Sequence, residues 1–322
     1  MEIKGTEETL EFCEATAFSS TANLGPGFDV FGLGLDLFYD TVSIRKLATK
    51  NGKIKIASDK NENIPSTAKE NSASLSVMKI AQKYKIKNDL EIRISKGVPV
   101  GLGLGSSAAS SAAAVTAFNE LFKCKLTDNE LLDYAAEGEV SSAGVKHYDN
   151  VVASLFGGFV IVRTFPTLKF IKINTPKDLL VVVCVPKIIT PAKKTKLARS
   201  VIPEEITIKD LTKNLANACI MVSGFFLQDT KLLTNGINDI IVEPARKGLI
   251  AGYDKVKLNA YHSGALAVTI SGAGPSMIAF TNSAKNASKI GRSMQQGFAE
   301  SKVESNAYVC RSSSPARVTS KY

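Results

Sequence analysis

Pro99-Val100-Gly101-Leu102-Gly103-Leu104-Gly105-Ser106-Ser107-Ala108-Ala109 is the stretch on which the reading of this chain turns. Three glycines at alternate positions leave the backbone free to approach a ligand, and the two serines fall where a helix N-terminus exposes unpaired N–H groups. Ser110 to Phe122 is rich in Ala and Ser, with Val115, Phe118 and Leu121 at helical spacing, so the helix it forms can pack closely. Its N-terminal partial charge suits a polyphosphate. Two familiar patterns do not fit. A P-loop carries a Lys before its final Ser or Thr, and none stands here; the dinucleotide fingerprint carries a third Gly where this chain has Ser106. Taken alone, the run also suits a loop selected only for close packing.

Working outward, 322 residues are enough for two domains, since single cores seldom grow beyond about 250 residues. A hydrophobic content of 44% with 22% charged residues is that of an ordinary globular protein. The first residues, Met1 to Glu8, lack the basic-then-apolar pattern of a signal peptide, and the longest apolar run, Leu179 to Val185, is too short to span a bilayer. The expectation is a cytoplasmic protein with no membrane partner. Five widely spaced cysteines, Cys13, Cys124, Cys184, Cys219 and Cys310, suggest neither a disulfide framework nor a zinc site. The net charge of +10 comes from 32 scattered Lys against 8 Arg, without a basic block interleaved with aromatics, which argues against a nucleic-acid partner.

Along the chain, alternation predicts a strand over Thr9 to Ser19 and further strands over Val30 to Asp36, Thr41 to Arg45, Lys53 to Ala57 and Leu90 to Ser95. Ser72 to Lys83 reads as a helix. Thr127-Asp128-Asn129-Glu130 is a capping box that opens another helix, carrying Glu139 and ending before a loop at Ser141-Ser142-Ala143-Gly144. A strand over Phe159 to Arg163 precedes Phe165-Pro166-Thr167, where the pattern restarts. The division is therefore expected there, giving domains 1–165 and 166–322. The second contains strands over 179–185, 267–271 and 277–281, helices near 209–227, 229–235, 244–251 and 283–297, and a tail from Arg311 to Tyr322.

Asn23-Leu24-Gly25-Pro26-Gly27-Phe28-Asp29, the glycine loop, and Ser271-Gly272-Ala273-Gly274-Pro275-Ser276, in this order, resemble the three signature motifs of the GHMP kinases. Within that superfamily the likeness is greatest to the homoserine kinases, through Gly138-Glu139-Val140, His147-x-Asp149-Asn150, Lys196-Leu197-Ala198-Arg199-Ser200-Val201-Ile202-Pro203 and Glu243-Pro244-Ala245-Arg246. The resemblance implies an α+β fold of two domains, the first like ribosomal protein S5 domain 2 and the second ferredoxin-like, with the site in the cleft between them. It implies a homodimer that uses ATP and Mg²⁺ to phosphorylate the hydroxyl of L-homoserine in threonine biosynthesis.

Carried over residue by residue, the resemblance gives nucleotide binding to Asn71, Pro99, Gly101, Gly103, Leu104, Gly105, Ser106, Ser107 and Ala108, and Mg²⁺ ligation to Ser107 and Glu139. It puts Arg199 and Arg246 on the substrate carboxylate, Asp29 on its ammonium group, and Asn23, His147, Thr195 and Gly272 on the remaining contacts. Asn150, His147 and Glu139 are its catalytic positions. Several relatives have an Asp where this chain has Asn150; an amide takes no proton at neutral pH, so catalysis here would rest on positioning and charge stabilisation. Spacing alone leaves other readings open: Glu139 as a solvated helix-end charge, Arg199 in an exposed basic loop at Lys193 to Lys196, Arg246 on the surface, Asp29 as an ordinary turn residue and His147 as structural. Tyr148 replaces the usual Ala, and Val152-Ala153 the common Ala-Pro. Another small-molecule GHMP kinase of the mevalonate or shikimate type, or a non-catalytic nucleotide-binding regulator, remains the alternative.

Overall fold

The computed structural model describes residues 10–57, 64–65, 67–190 and 194–322; Met1 to Glu8 and Lys193 lie outside them. The order of elements is β1 (Phe12–Asn23), β2 (Gly27–Lys46), β3 (Ile54–Ala57), α1 (Ser72–Lys83), β4 (Leu90–Ser95), α2 (Ser106–Leu121), α3 (Asp128–Ala143), α4 (Asp149–Phe156), β5 (Phe159–Arg163) and β6 (Lys169–Ile173). There follow β7 (Leu180–Pro186), α5 (Lys194–Ser200), α6 (Ile208–Phe226), α7 (Thr230–Asn235), α8 (Val242–Arg246), α9 (Tyr253–His262), β8 (Ala267–Ile270), β9 (Met277–Thr281), α10 (Ala284–Ala299), β10 (Ser305–Cys310) and β11 (Arg317–Lys321).

The first sheet runs β11-β1-β2-β4-β3, with β5 and β6 added beside the other half of β2. Val30 to Asp36 and Thr41 to Arg45, expected as separate strands, are one 20-residue strand. Its first half pairs with β5 through Phe31 to Leu33 and its second half with β4 through Thr41 to Lys46. The intervening shift in the β1–β2 register, between Phe18 and Ser19, re-aims the side chains and breaks the apolar alternation. Helix α2 lies against β1, α1 and α3. Its alanines let it sink into the core, where Ala108, Ala112, Ala113 and Val115 are fully buried.

The second sheet has the order β10-β7-β9-β8, all antiparallel, with helices between β7 and β8 and between β9 and β10. That is the split βαβ order of a ferredoxin-like domain. Strand β7 is buried on both faces: Val181, Val183 and Val185 join the core shared with the first sheet, while Leu180, Val182 and Cys184 meet α9 and α10. Phe159 of β5 stacks on Phe225 of α6 at 3.8 Å between ring centroids, a contact that holds the two halves together.

The other departures from expectation have local causes. Strands β5 and β6 pair across the expected division at 165 and 166, and the expected tail contributes β11, which pairs with β1. Helix α3 continues through Ser141 to Ala143 and ends at Gly144, whose φ of 81° suits a glycine cap. The helix expected from Pro244 is short: α8 ends at Arg246 and a 3₁₀ turn covers Lys247–Leu249. No expectation covered α5, α9, β6 or β10.

Candidate active site

The three glycine-rich segments are tied to one another at the start of α2. Ser20 N–H donates to Leu104 O at 3.1 Å, Gly272 N–H to Ala22 O at 3.2 Å and Ser276 N–H to Leu102 O at 3.3 Å. Ser271 Oγ donates to Gly103 O at 2.7 Å, and Asn23 Nδ2 to Gly272 O at 2.8 Å. Gly103 has φ +81°, and a Cβ there would stand 2.3 Å from Ser271 O; Gly105 has φ +66°, and its Cβ would meet Ser20 Oγ at 2.2 Å. At these two positions both the backbone angle and the neighbouring segment exclude a side chain. The loop is thus fixed in place before any ligand arrives, with the free amides of the α2 first turn turned to the cleft.

Beside that turn, Ser107 Oγ donates to Glu139 Oε1 at 2.6 Å. Glu139 is buried, not solvated, and its carboxyl is pushed up to about 7 by that burial, against the opposing effects of the Ser107 hydroxyl and the Lys96 charge. Lys96, directly after β4, donates to Ser106 O at 2.8 Å and Ser110 Oγ at 2.9 Å and pairs with Asp40. Asp40, fully buried at the middle of β2, also accepts the N–H groups of Gly97 and Val98, each at 3.0 Å, and Ser110 Oγ at 2.6 Å. One buried carboxylate therefore anchors both the entrance to the glycine loop and the lysine beside it. Among the described residues no group of three or more His, Cys, Asp or Glu forms a metal cage. Ser107 and Glu139 are nevertheless a hard-oxygen pair of the kind Mg²⁺ accepts, since that ion keeps several waters and takes further oxygens from phosphates.

At the other end, the Phe28 ring lies 5.1 Å from the guanidinium carbons of both Arg199 and Arg246. Arg199 Nη2 donates to both carboxylate oxygens of Asp29, at 2.9 and 2.8 Å. Arg246 is buried, with Nε on Ala198 O at 2.9 Å and Nη1 on Gly272 O at 3.3 Å. Its helix is held from below: Asp239 accepts the N–H groups of residues 241 to 243, and Glu243 bonds Lys257, Tyr253 and Thr269. Asn23 and Asp29 have φ of 69° and 57°, and Asn23 Oδ1 accepts the Asp29 N–H at 3.1 Å. Burial and the two arginines hold the His147 imidazole below its ordinary range, and its buried Nε2 has no partner among the described residues.

Asn150 stands between the two ends. Ser20 Oγ donates to its Oδ1 at 3.1 Å and its Nδ2 donates to Asp149 Oδ1 at 3.5 Å, which leaves one amide N–H for the cleft. Asp149, buried at the start of α4, accepts the Asn150 N–H at 2.8 Å, and burial with the nearby Asp29 charge raises its carboxyl to about 7. The whole forms one cleft of about 440 Å³. Every residue to which the resemblance gives a role lines it except Pro99 and Ala108. Ala108 is buried in the core and offers only its amide; Asn71 lines the cleft and also caps α1, accepting Ser74 N–H at 3.2 Å. Tyr148 points away, its hydroxyl donating to Asp133 on α3 at 2.9 Å. Sequence reasoning missed Phe28, Lys96 and Lys194 on the cleft wall, and Asp40 behind it. The position of Lys96 at the mouth of the glycine loop was the one available signal.

Residues 71–158 match the family described as GHMP kinases N terminal domain, and residues 221–300 match GHMP kinases C terminal. The chain belongs to the GHMP kinases. It is 39% identical over 282 residues to a homoserine kinase of Saccharolobus solfataricus, covering 87% of this chain and 90% of the relative. It is 41% identical over 261 residues to a homoserine kinase of Methanococcus maripaludis, covering 80% and 84%. Among solved structures, the homoserine kinase of Cytophaga hutchinsonii superimposes with a TM-score of 0.89 at 34% identity over 99% of this chain and all of that one. This GHMP kinase therefore shares its two-domain α+β fold with homoserine kinases along nearly its whole length.

Proposed function

We propose that this kinase transfers the γ-phosphoryl group of ATP to the side-chain hydroxyl of L-homoserine, giving ADP and O-phospho-L-homoserine. The observation that carries the reading is the pairing of two unlike ends in one cleft. Glycine-loop amides with Ser107 and Glu139 suit a polyphosphate, and Arg199, Asp29 and Arg246 around Phe28 suit a zwitterionic amino acid. A guanidinium recognises the α-carboxylate and a carboxylate the ammonium group. Identity of about 40% to homoserine kinases over most of the chain supports the same substrate.

In this reading the α2 amides hold the β- and γ-phosphates, and Asn71 flanks the nucleotide. Ser107 and Glu139 hold Mg²⁺, which when bound neutralises phosphate charge. Arg199 and Arg246 take the carboxylate, Asp29 the ammonium, and Asn23, His147, Thr195 and Gly272 the remaining contacts. Asn150, with its carbonyl occupied by Ser20, donates from its amide toward the transferring group. It cannot accept a proton, so the hydroxyl proton passes to a phosphate oxygen or solvent, as a loose phosphoryl-transfer transition state permits.

We assign the chain to the cytoplasm, in keeping with its five free cysteines. Among the described residues no helix is long and apolar enough to cross a membrane. A homodimer is supported by α6, which exposes Ile208, Leu211, Leu215 and Phe226 beside an apolar groove of about 540 Å³. The deciding experiment is a phosphorylation assay with Mg-ATP and homoserine, mevalonate, shikimate or galactose. Homoserine is expected to react far faster than the others, and a preference for mevalonate or shikimate overturns the reading.

A further inference from the structure

A second cleft lysine stands apart from the pairings described above. Lys194, at the start of α5, donates from Nζ to Gly274 O, and among the described residues no Asp or Glu pairs with it. Gly274 O is 2.7 Å from where a Cβ on Gly103 would stand, so the ammonium group is docked at the phosphate loop. Thr190, four residues earlier in the chain, also stands close to that loop: a Cβ on Gly101 would lie 2.3 Å from its Oγ1. Lys96, the other cleft lysine, is already committed to Asp40.

We propose that Lys194 contacts the terminal phosphoryl group of the bound nucleoside triphosphate and holds it during transfer, a task for which the glycine loop itself has no lysine. The inference rests on the kinase reading above. In the step, the bond from the γ-phosphorus to the β–γ bridging oxygen breaks and a bond to the acceptor oxygen forms. The hydroxyl proton leaves to a phosphate oxygen or solvent, and ADP carries away the bridging oxygen. Lys194 gives up no proton; it supplies a fixed positive charge where negative charge is transferred.

Burial, and then the Arg246 charge, push the Lys194 amine down to about 7, the behaviour of a cation lacking its counter-ion. The charged groups lining the cleft with it are Arg246 on α8 and Arg199 on its own helix, with Asp29, Glu70, Lys96, Glu139, His147 and Asp149 on the other walls. A phosphate arriving at Lys194 favours the ammonium form, so binding above pH 7 draws a proton from solution. The amino-acid carboxylate is the rival ligand. Lys194 is anchored to the third motif where it meets Gly103, whereas the two arginines flank Phe28.

The test is calorimetric titration of wild type and Lys194→Met with Mg²⁺ and either β,γ-methylene-ATP or ADP, at pH 8 in two buffers of different ionisation enthalpy. The expected result is at least tenfold weaker binding of the triphosphate analogue and less than threefold for ADP, with proton uptake on analogue binding reduced. The homoserine KM stays within threefold while kcat falls. Equal losses for both nucleotides, no loss, or a loss confined to homoserine overturns the inference. If the methionine variant does not fold, Lys194→Ala with added methylammonium replaces it. Restored triphosphate preference then supports the role, and no restoration overturns it. Wild type that fails to phosphorylate homoserine defeats the functional reading instead, whereas active wild type with an unaffected variant defeats only the role of Lys194.

Discussion

Arg199 and Asp29 form an ion pair across the substrate end of the cleft, one guanidinium nitrogen reaching both carboxylate oxygens at 2.9 and 2.8 Å. Their side chains are 39% and 40% exposed, so the pair is of the solvated kind that contributes little to stability. It is therefore exchangeable: a zwitterion with its own carboxylate and ammonium group offers each partner a new counter-ion at small cost. In the proposed reading, the same two residues that close on each other take the two charges of the α-amino acid.

The first prediction follows from that exchange. Arg199→Leu is expected to raise the homoserine KM by the equivalent of about 1.5 to 3 kcal/mol, the value of a lost charge-assisted hydrogen bond, and to leave ATP affinity nearly unchanged. Steady-state kinetics with each substrate varied in turn checks it; equal losses for both ligands would place Arg199 elsewhere.

Glu139 gives the second. Its carboxyl titrates at about 7, so a proton competes with Mg²⁺ below that pH. The Mg²⁺ concentration for half-maximal rate should rise as pH falls from 7 to 6 and level off above 7. Glu139→Gln should need more Mg²⁺, turn over far more slowly and lose this pH dependence. A variant whose Mg²⁺ titration matches wild type at both pH values removes Glu139 from the metal.

The third concerns stability in the absence of ligand. Asp149 and Glu139 both carry folded-state values raised to about 7, so both are stabilising in their protonated forms, and that stability is lost as pH rises from about 4 through 7. Asp149→Asn removes the cost of the buried charge. It should raise Tm at pH 8 by about 2 °C or more while changing it less at pH 5. Thermal unfolding at the two pH values measures the difference; an equal change at both denies that Asp149 is buried as a charge.

Much of this arrangement was legible beforehand, for identifiable reasons. Asn71 and Thr127 start their helices as their side chains dictate, and Leu90 to Ser95 alternates because one sheet face is buried along its whole length. Strand β2 reads in the sequence as two because it changes partners midway and carries the buried Asp40, whose four donors come from 56 to 70 residues further along the chain. Strand β11 is an exposed edge strand with little apolar signal. The order of the three motifs pointed to the cleft. The buried charge network behind it, from Asp40 to Lys96 and from Glu243 to Lys257, exists only through tertiary contacts and leaves no local pattern.

Asp40 supports a fourth prediction. Asp40→Ala takes the carboxylate away from the Lys96 ammonium and from the Gly97 and Val98 amides, a buried-pair loss of about 3 to 5 kcal/mol. Denaturant unfolding should show a loss of that order, and the ATP KM should rise more than the homoserine KM because the glycine loop loses its anchor. A stability within about 0.5 kcal/mol of wild type would contradict the anchoring role.

The last prediction addresses transfer without an evident base. Asn150 has its carbonyl held by Ser20 and one amide N–H on Asp149, which leaves the other for the cleft, so the orienting role proposed for it involves no titration. Asn150→Ala should lower kcat without altering the shape of the pH–rate curve. Asn150→Asp puts a negative charge beside the γ-phosphate oxygens, and the repulsion should leave it slower than wild type at neutral pH despite the added base. His147 is the rival acceptor, its imidazole pushed below its ordinary range by burial and by Arg199 and Arg246. Its lowered value means that a base role would make the rate fall on the acid side, below the ordinary histidine range, as the imidazole protonates. Glu139 and Asp149, both at about 7, supply ionisations near neutrality that do not depend on His147. His147→Gln separates the two roles. A binding role predicts a raised homoserine KM with the limb near neutral pH still present. A base role predicts that the acid limb disappears together with most of kcat, and that result would overturn the assignment of His147 to substrate binding.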